Sequence, residues 1–295
     1  MYDLIIIGLG PAGINACIYA KRSNLNILVF EKNMPGGTLH TIKHVDNYLG
    51  YNNVDGTELA MLFYKQFKEL KVPMKNEEVI KVELKGNEKI VKTNNGTYKA
   101  KAVIIATGRG KQKLGLDNEN INGVSTCAVC DGALYKDKTV AIYGNNPLML
   151  EDILYLSNIV KKLYVITSKD KLLGNSELLD KVNKLENIEL LFNQNIKKIN
   201  GKDKIESIEL NDKTLLIIDG LFINNEYGPI TSFVKDLGIT NEKGYIIADD
   251  NGKTKIDGIY VCGDSKEKTL YQIITAASEG ALAATDAYKY IKNYK

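Results

Sequence analysis

The sequence lacks several features that mark particular classes of protein. Its 295 residues include no tryptophan, two histidines and four cysteines, and Arg22 and Arg109 are the sole arginines among 39 basic residues. No apolar run reaches membrane-spanning length, and the first strand follows no basic leader. The net charge of +3 is too small to favour nucleic acid. We therefore expect a cytoplasmic globular protein without membrane or nucleic-acid partners.

Two of the four cysteines form a CxxC motif, Cys127 and Cys130, which Asp131 follows directly. Two cysteines with this spacing can close a small disulfide ring that exchanges readily. A neighbouring carboxylate can move a proton at a thiolate. The motif therefore predicts a catalytic redox pair in a reducing compartment.

Half of a zinc site is the alternative interpretation of CxxC. A zinc site needs a second pair of ligands, and the remaining candidates are poorly placed: Cys17 and Cys262 stand alone in apolar segments, and His40 and His44 lie far upstream. We expect Cys17 and Cys262 to be core residues, and we predict no metal site.

The chain opens with an apolar strand, a glycine-rich turn and a helical segment. Gly8 fits a tight turn, Gly10 lets the backbone approach a diphosphate, and Gly13 lets the helix lie close to the strand. A diphosphate there would meet the helix N-terminus, which favours an anion. A second apolar strand ends in Glu31, where a carboxylate can bind ribose hydroxyls. This pattern predicts dinucleotide binding.

A second strand–helix–strand unit follows the CxxC motif. It consists of a strand over Thr139–Tyr143, a helical segment over Leu148–Ser157 and a strand over Leu163–Thr167. The order repeats that of the first unit, so the sequence predicts two similar domains.

Seven short motifs occur in a fixed order along almost the whole chain. They are GxGPAG at residues 8–13, Gly-Gly-Thr at 36–38, Asp-Asn-Tyr at 46–48, Ala-Thr-Gly at 106–108, CAVCDG at 127–132, Val-Cys-Gly-Asp at 261–264 and Tyr-Gln-Ile-Ile-Thr-Ala-Ala at 271–277. This ordered set resembles the low-molecular-weight thioredoxin reductases. The resemblance implies an α/β fold of two Rossmann-like, three-layer ββα dinucleotide-binding domains, the second inserted into the first.

The resemblance also implies domain boundaries and a homodimer. Residues 1–111 and 240–295 would form a discontinuous FAD-binding domain, and residues 112–239 would form the inserted domain that carries CxxC.

The residues that match the FAD-contacting positions of that family come from both segments of the first domain. They are Gly8, Gly10, Pro11, Ala12, Gly13, Glu31, Lys32, Gly37, Thr38, Asn47, Val79, Thr107, Gly108, Asp264, Gln272 and Ile273. Asp264 also has a purely structural interpretation, since an aspartate in this position can cap a helix.

The inserted domain departs from the family where NADPH would bind. NADPH-using relatives have Gly-Gly-Gly-Asn-Thr-Ala, whereas this chain has Gly-Asn-Asn-Pro-Leu-Met at residues 144–149. Asn146 would place a side chain where a backbone must approach the diphosphate. The family's arginines for the 2′-phosphate are replaced by Thr-Ser-Lys at 167–169, and lysine lacks their planar fork. We therefore expect NADPH not to bind, although a divergent site that still works is the alternative.

Without a nicotinamide another donor must reduce the flavin, and a one-electron iron–sulfur carrier can do so in two steps. The chain thus looks most like the ferredoxin-dependent flavin thioredoxin reductases, with ferredoxin as donor and thioredoxin as the acceptor partner. Acidic carriers would dock on basic residues, for which the candidates are Arg22, Arg109, Lys111, Lys113, Lys161 and Lys162.

The expected chemistry follows from the same resemblance. Cys130 would receive the electrons, Cys127 would attack the thioredoxin disulfide, and Asp131 would handle the proton. Two alternatives remain open: an NAD(P)H-dependent thioredoxin reductase, and a dithiol oxidase in which the flavin passes electrons to oxygen.

Overall fold

The computed structural model describes residues 1–112, 114–225 and 227–294. The strands are, in chain order, β1 Tyr2–Ile7, β2 Ile27–Phe30, β3 Met74–Lys75, β4 Val79–Lys85, β5 Glu88–Thr93, β6 Thr97–Ile105, β7 Arg109–Lys111, β8 Val124–Ser125, β9 Thr139–Gly144, β10 Lys162–Ile166, β11 Ile188–Leu191, β12 Ile196–Asn200, β13 Ser207–Leu210, β14 Leu215–Ile217, β15 Gly220–Asn224, β16 Tyr227–Pro229 and β17 Ile259–Val261. The α-helices are α1 Pro11–Arg22, α2 Gly56–Glu69, α3 Ala128–Asp131, α4 Met149–Ser157, α5 Ser176–Val182 and α6 Ile273–Lys292. Short 3₁₀ helices cover Gly37–Thr41, Gly132–Tyr135, Ser232–Leu237 and Gly263–Ser265.

The chain divides into two compact units. The first contains Met1–Gly110 and the segment from Gly228 onward, and the second contains Lys111–Tyr227. The resemblance predicts the return to the first unit at residue 240. The structure places it earlier because Phe233 and Val234 are buried in the core of the first unit. Which ligand each unit binds stays a prediction.

The sheet of the first unit has the strand order β3-β2-β1-β6-β5-β4, and β17 pairs with the C-terminal end of β6. The strands β1, β2, β3, β6 and β17 run parallel, whereas β4, β5 and β6 form an antiparallel meander. This parallel arrangement puts the turns after β1, β6 and β17 at one edge of the sheet, which is where ligands bind in such folds.

Side chains of β1 alternate between the two faces of this sheet, as a strand buried on both sides requires. Leu4 and Ile6 belong to the core beneath α1 and α6, whereas Ile5 and Ile7 belong to the core beneath the β4–β5 meander. The first unit therefore has three layers: helices, the parallel sheet and the meander.

The second unit repeats this plan. Its parallel sheet has the order β11-β10-β9-β15-β8, and β12, β13 and β14 form an antiparallel meander. Val140 and Ile142 of β9 face the core that contains α4, whereas Ala141 and Tyr143 face the meander core. The predicted α/β class is confirmed, and both units have the three-layer plan of a dinucleotide-binding domain.

Where the chain passes between the units, β7 and β16 form a two-stranded sheet. None of the helices in the part of the chain that the structure describes is long and apolar enough to cross a membrane.

Candidate active site

The glycine turn between β1 and α1 leaves one open position. A Cβ on Gly8 would lie 2.5 Å from the Ala106 carbonyl oxygen, and a Cβ on Gly13 would lie 2.0 Å from that of Gly8. A Cβ on Gly10 would meet no described atom within 4 Å. Gly8 and Gly13 are therefore required for the turn itself, whereas Gly10 leaves space beside the N-terminus of α1 for a ligand.

The carboxylate of Glu31 joins the glycine turn to the end of β2. Its Oε2 accepts a hydrogen bond from Leu9 N at 2.7 Å, and its Oε1 accepts one from Asn33 N at 2.8 Å. Glu31 is 9% exposed, so these amide donors hold a nearly buried charge in place. The next residue, Lys32, pairs with Glu78 at 3.0 Å. Each Glu31 oxygen retains a lone pair with which to accept a ribose hydroxyl.

Asp264 follows β17 and carries an unsatisfied oxygen. Oδ1 is buried and has no hydrogen-bond partner among the described residues, although Lys268 Nζ lies 3.2 Å away. Lys268 also pairs with Glu279 at 3.0 Å, and Glu279 accepts from Gly263 N at 2.8 Å. Beside its ion pair with Lys268, this carboxylate oxygen keeps the capacity to accept a hydrogen bond from a ligand hydroxyl. The side chain does not cap α6, which Gln272 caps together with Thr275.

The start of α6 is joined to the loop after β2. Asn47 Nδ2 donates to Gln272 Oε1 at 2.9 Å, across 225 positions of sequence. Ile273 is the first residue of the helix. Two predicted FAD-contacting residues that are distant in sequence thus meet at one helix N-terminus.

The turn after β6 is held by hydroxyl groups. Thr107 Oγ1 donates to the Ile230 carbonyl at 2.6 Å and lies 3.0 Å from Ser265 Oγ. Ser265 Oγ donates to the Gly108 carbonyl at 3.1 Å. Ser265 is not among the residues predicted from the sequence, and its place directly after Asp264 is the signal that could have identified it.

The other predicted FAD-contacting residues lie around the same edge. Pro11 and Ala12 open α1, and a Cβ on Gly263 would lie 2.8 Å from that of Ala12. Gly37 has a φ of +59°, lies beside Gly10 and begins, with Thr38, a 3₁₀ helix. Val79 begins β4 and is mostly buried. The open position at Gly10, the remaining acceptor capacity of the Asp264 carboxylate and the residues around this edge fit a dinucleotide such as FAD.

In the second unit the two CxxC sulfurs are bonded to each other. The Cα atoms of Cys127 and Cys130 lie 5.3 Å apart, and Cys130 N donates to Cys127 Sγ at 3.2 Å across the first turn of α3. Cys127 is half-buried, whereas Val129 and Cys130 are exposed. The pair has the form that a redox-active dithiol takes when it is oxidised.

Ser125, which is not among the residues predicted from the sequence, connects Asp131 to the backbone of Cys127. Its hydroxyl donates to Asp131 Oδ2 at 2.6 Å and accepts from Cys127 N at 3.0 Å. In this form the carboxylate of Asp131 therefore reaches Cys127 through a hydroxyl group. A serine two residues before a turn is a known local signal, so Ser125 could have been found.

The other two cysteines are buried in the first unit. Cys17 on α1 and Cys262 after β17 have no exposed surface and belong to the same apolar core. Burial raises the pKa of both thiols well above its ordinary value. In the described part of the chain, no group of three or more His, Cys, Asp or Glu residues is placed to hold a metal ion.

The turn between β9 and α4 is filled by its own side chains. Asn145 Oδ1 accepts from Thr167 Oγ1 at 2.6 Å, and its Nδ2 donates to Ser168 Oγ at 3.1 Å. Asn146 Oδ1 accepts from Leu148 N at 3.0 Å, and Met149 is 2% exposed. The cavity lined by these residues has a volume of about 10 Å³, which is room for about one water molecule.

The fold and the site define a protein with two units of the dinucleotide-binding fold, the second inserted into the first, and a CxxC disulfide in the second. The model of the pyridine nucleotide-disulphide oxidoreductase family matches residues 2–280, and the chain belongs to this family.

Among its relatives, the thioredoxin reductase of Bacillus subtilis (strain 168) is 37% identical and covers 99% of this chain and 95% of its own length. The crystal structure of Lactococcus lactis thioredoxin reductase in the FR conformation has a TM-score of 0.69 and 34% identity, and covers 99% of this chain and 100% of that one. The crystal structure of a ferredoxin-flavin thioredoxin reductase from Clostridium acetobutylicum has a TM-score of 0.61 and 32% identity. The match covers 99% of this chain and 98% of the Clostridium chain.

Proposed function

We propose that the chain is an FAD-dependent thioredoxin reductase that takes its electrons from ferredoxin. The disulfide of Cys127 and Cys130 would pass them to the disulfide of thioredoxin. The membership of the family, the relatives that are thioredoxin reductases and the bonded CxxC pair support the disulfide-reductase part of this proposal.

FAD would be held by the first unit. Its diphosphate would lie against Gly10 and the N-terminus of α1, its adenosine ribose against Glu31, and its ribityl hydroxyls against Asp264. When bound, the flavin supplies an electron pair and can itself be reduced by one electron at a time.

The residues of the second unit would carry out the exchange. Two electrons and two protons convert the Cys127–Cys130 disulfide into two thiols. Cys127 then attacks one sulfur of the thioredoxin disulfide as a thiolate, and Cys130 displaces thioredoxin as a dithiol and closes the original disulfide. Asp131 would take up and return the proton of Cys127, and the Ser125 hydroxyl, which donates to Asp131 Oδ2, would hold that carboxylate in place.

The filled turn between β9 and α4 is the observation that carries the choice of donor. Asn145 is tied to the end of β10, and the buried Met149 occupies the start of α4 where a diphosphate would need an open helix N-terminus. The comparisons do not support ferredoxin as the donor: the similar curated relatives are named thioredoxin reductases, and the Lactococcus structure has a TM-score of 0.69 against 0.61 for the Clostridium ferredoxin-flavin enzyme. The proposal that NADPH does not bind therefore rests on this turn.

The predicted docking charges differ in their surroundings. Arg22 and Lys161 are exposed, Lys162 pairs with Glu189 at 2.7 Å, and Arg109 stacks on Tyr271. Lys111 is largely buried, and Lys113 lies outside the described residues. Of the predicted docking residues, Arg22 and Lys161 are the ones that expose a positive charge to an acidic carrier, and they stay candidates for its docking site. A homodimer and a cytoplasmic location are likewise part of the proposal.

Anaerobic flavin bleaching tests the donor. Purified yellow protein is mixed with NADPH or NADH in one cuvette and with enzymatically reduced ferredoxin in another, and oxidised thioredoxin is then added. We expect bleaching by ferredoxin alone, followed by the appearance of thioredoxin thiols. Rapid bleaching by NADPH would mean that the divergent turn still binds a nicotinamide, and the ferredoxin proposal would be wrong.

The dithiol oxidase is tested in the same preparation under air. A small dithiol such as dithiothreitol is added without a donor, and peroxide is measured. We expect at most a trace of peroxide, because the proposed electron flow runs toward the disulfide. Stoichiometric peroxide would favour the oxidase.

A further inference from the structure

Three polar side chains of the second unit form a cluster beside the CxxC segment. Lys111 Nζ donates to the Thr126 carbonyl at 2.6 Å and lies 3.8 Å from Asp152 Oδ2. Asn224 Nδ2 donates to the same carboxylate oxygen. The Lys111 and Asp152 side chains are each 19% exposed, so this ion pair is largely removed from water.

The cluster joins four elements of the unit. Lys111 ends β7, Asp152 lies on α4, Asn224 ends β15, and Thr126 stands between β8 and Cys127. The Thr126 carbonyl belongs to the peptide whose nitrogen is that of Cys127. Lys111 therefore contacts the backbone immediately beside one of the two sulfur-bearing residues.

Burial disfavours both charges of the pair. It lowers the pKa of Lys111 and raises the pKa of Asp152, and the attraction between the two opposes both shifts. A buried ion pair of this kind is an inefficient source of stability, because the cost of desolvation offsets much of the attraction. A role in the chemistry of the neighbouring cysteine is the better explanation.

The positive end of the pair contacts the peptide that joins Thr126 to Cys127. The ammonium is closer to the Thr126 carbonyl than to Asp152, 2.6 Å against 3.8 Å. The Asp131 side chain, by contrast, contacts the Ser125 hydroxyl, which in turn accepts from Cys127 N. Lys111 is thus the cation that is placed beside the segment from which the thiolate would act.

We propose that Lys111 is a positioning residue for Cys127, which fixes the Thr126–Cys127 peptide and, through its charge, stabilises the reduced pair in its thiolate form. A cation near a thiolate lowers the energy of the dithiol state and makes the disulfide easier to reduce. The inference rests on the proposed function only in that Cys127 and Cys130 are the redox pair, and it is independent of the electron donor.

Equilibration of the holoenzyme with mixtures of reduced and oxidised dithiothreitol tests this role. After quenching by alkylation, mass spectrometry of the Cys127–Cys130 peptide gives the ratio of dithiol to disulfide. Lys111→Gln keeps a donor for the Thr126 carbonyl but removes the charge, and Lys111→Arg keeps the charge. Lys181→Gln is the matched control, since Lys181 forms an exposed pair with Glu177 in the same unit.

We expect Lys111→Gln to shift the equilibrium constant about tenfold toward the disulfide, equivalent to roughly 30 mV. Lys111→Arg should stay close to the unmodified protein, and Lys181→Gln should not differ from it. If Lys111→Gln left the equilibrium constant unchanged while lowering the unfolding temperature, Lys111 would be merely structural and the proposal would be wrong.

Asp152→Asn provides a second measurement should Lys111→Gln fold poorly. It removes the compensating negative charge and keeps an acceptor for Asn224, so the equilibrium should shift toward the dithiol, opposite to Lys111→Gln. A shift toward the disulfide would indicate general disruption and overturn the proposal. If ferredoxin failed to reduce the protein, the proposed donor would be wrong but this test of Lys111 would be unaffected. If Cys127 and Cys130 did not exchange with dithiothreitol, both the role of Lys111 and the proposed disulfide-reductase function would be wrong.

Discussion

Thr167 at the end of β10 donates a hydrogen bond to Asn145 at the end of β9, with the oxygens 2.6 Å apart. These two parallel strands are neighbours, and their carboxyl ends form the edge at which a dinucleotide would lie in such a sheet. In the second unit this edge is therefore bridged by side chains of the protein. The same edge of the first unit has the open position beside Gly10.

The bridge should contribute measurably to stability. Asn145→Ala leaves the hydroxyls of Thr167 and Ser168 without their partner, so we expect the free energy of unfolding to fall by about 1–3 kcal/mol. Urea unfolding measures this change. Asn146→Ala is the control, because its one hydrogen bond to Leu148 is exposed and should be worth about 0.5 kcal/mol. If the two variants lost the same free energy of unfolding, the hydrogen bonds of Asn145 to Thr167 and Ser168 would not contribute to stability as predicted.

Gly10 and Gly13 make a sharper pair of variants. A Cβ on Gly10 has free space in the protein, so Gly10→Ala should keep the stability of the apoprotein but retain little FAD after purification. A Cβ on Gly13 would meet the Gly8 carbonyl oxygen, so Gly13→Ala should lower the free energy of unfolding by about 1–3 kcal/mol or more.

The ratio of flavin to protein absorbance and urea unfolding of the apoproteins give the two quantities. If Gly10→Ala bound FAD as well as the unmodified chain, the flavin diphosphate would not lie at this turn. The assignment of FAD to the first unit would then be wrong.

Strand and helix patterns could be predicted because they depend on short-range periodicity. The alternation of Leu4, Ile5, Ile6 and Ile7 between two cores follows from burial of β1 on both faces, and it appears as a continuous apolar run in the sequence. The glycine turn and the CxxC motif are likewise local, so the order of residues along the chain is enough to identify them.

Contacts between distant segments could not be predicted in this way. Nothing near Lys111 indicates that its side chain is buried against Asp152, and it was interpreted as a surface charge. The return to the first unit at Gly228 could not be predicted either. Phe233 is buried in the core beneath β4 and β5, which lie more than 130 residues upstream. Such features depend on tertiary packing, which a linear pattern does not contain.

The roles of the two cysteines can be separated by single substitutions. In Cys130→Ser, Cys127 can still attack the thioredoxin disulfide, but no second thiol is present to displace thioredoxin from Cys127. The variant should therefore form a stable mixed disulfide with thioredoxin. The measurement uses a single-cysteine thioredoxin activated with thionitrobenzoate, whose release is followed by colour and whose adduct is seen on a non-reducing gel. Cys127→Ser should react far more slowly. The reverse order would exchange the two roles, with Cys130 as the attacking residue.

The buried thiols predict a dependence of stability on pH. Because burial raises the pKa of Cys17 and Cys262 in the folded state, both stay protonated when the unfolded chain loses its thiol protons near pH 8.5. The stability that these thiols contribute is complete below that pH, and it should fall by about 1.4 kcal/mol per pH unit for each thiol above it. Urea unfolding between pH 7 and about 9.5 measures this slope, and the Cys17→Ala, Cys262→Ala double variant should flatten it.

In the reduced native protein at pH 8, iodoacetamide should label Cys127 and Cys130 and reach the other two only after unfolding. Labelling of Cys17 or Cys262 in the native state would show that their core opens, and the predicted slope would then be lost.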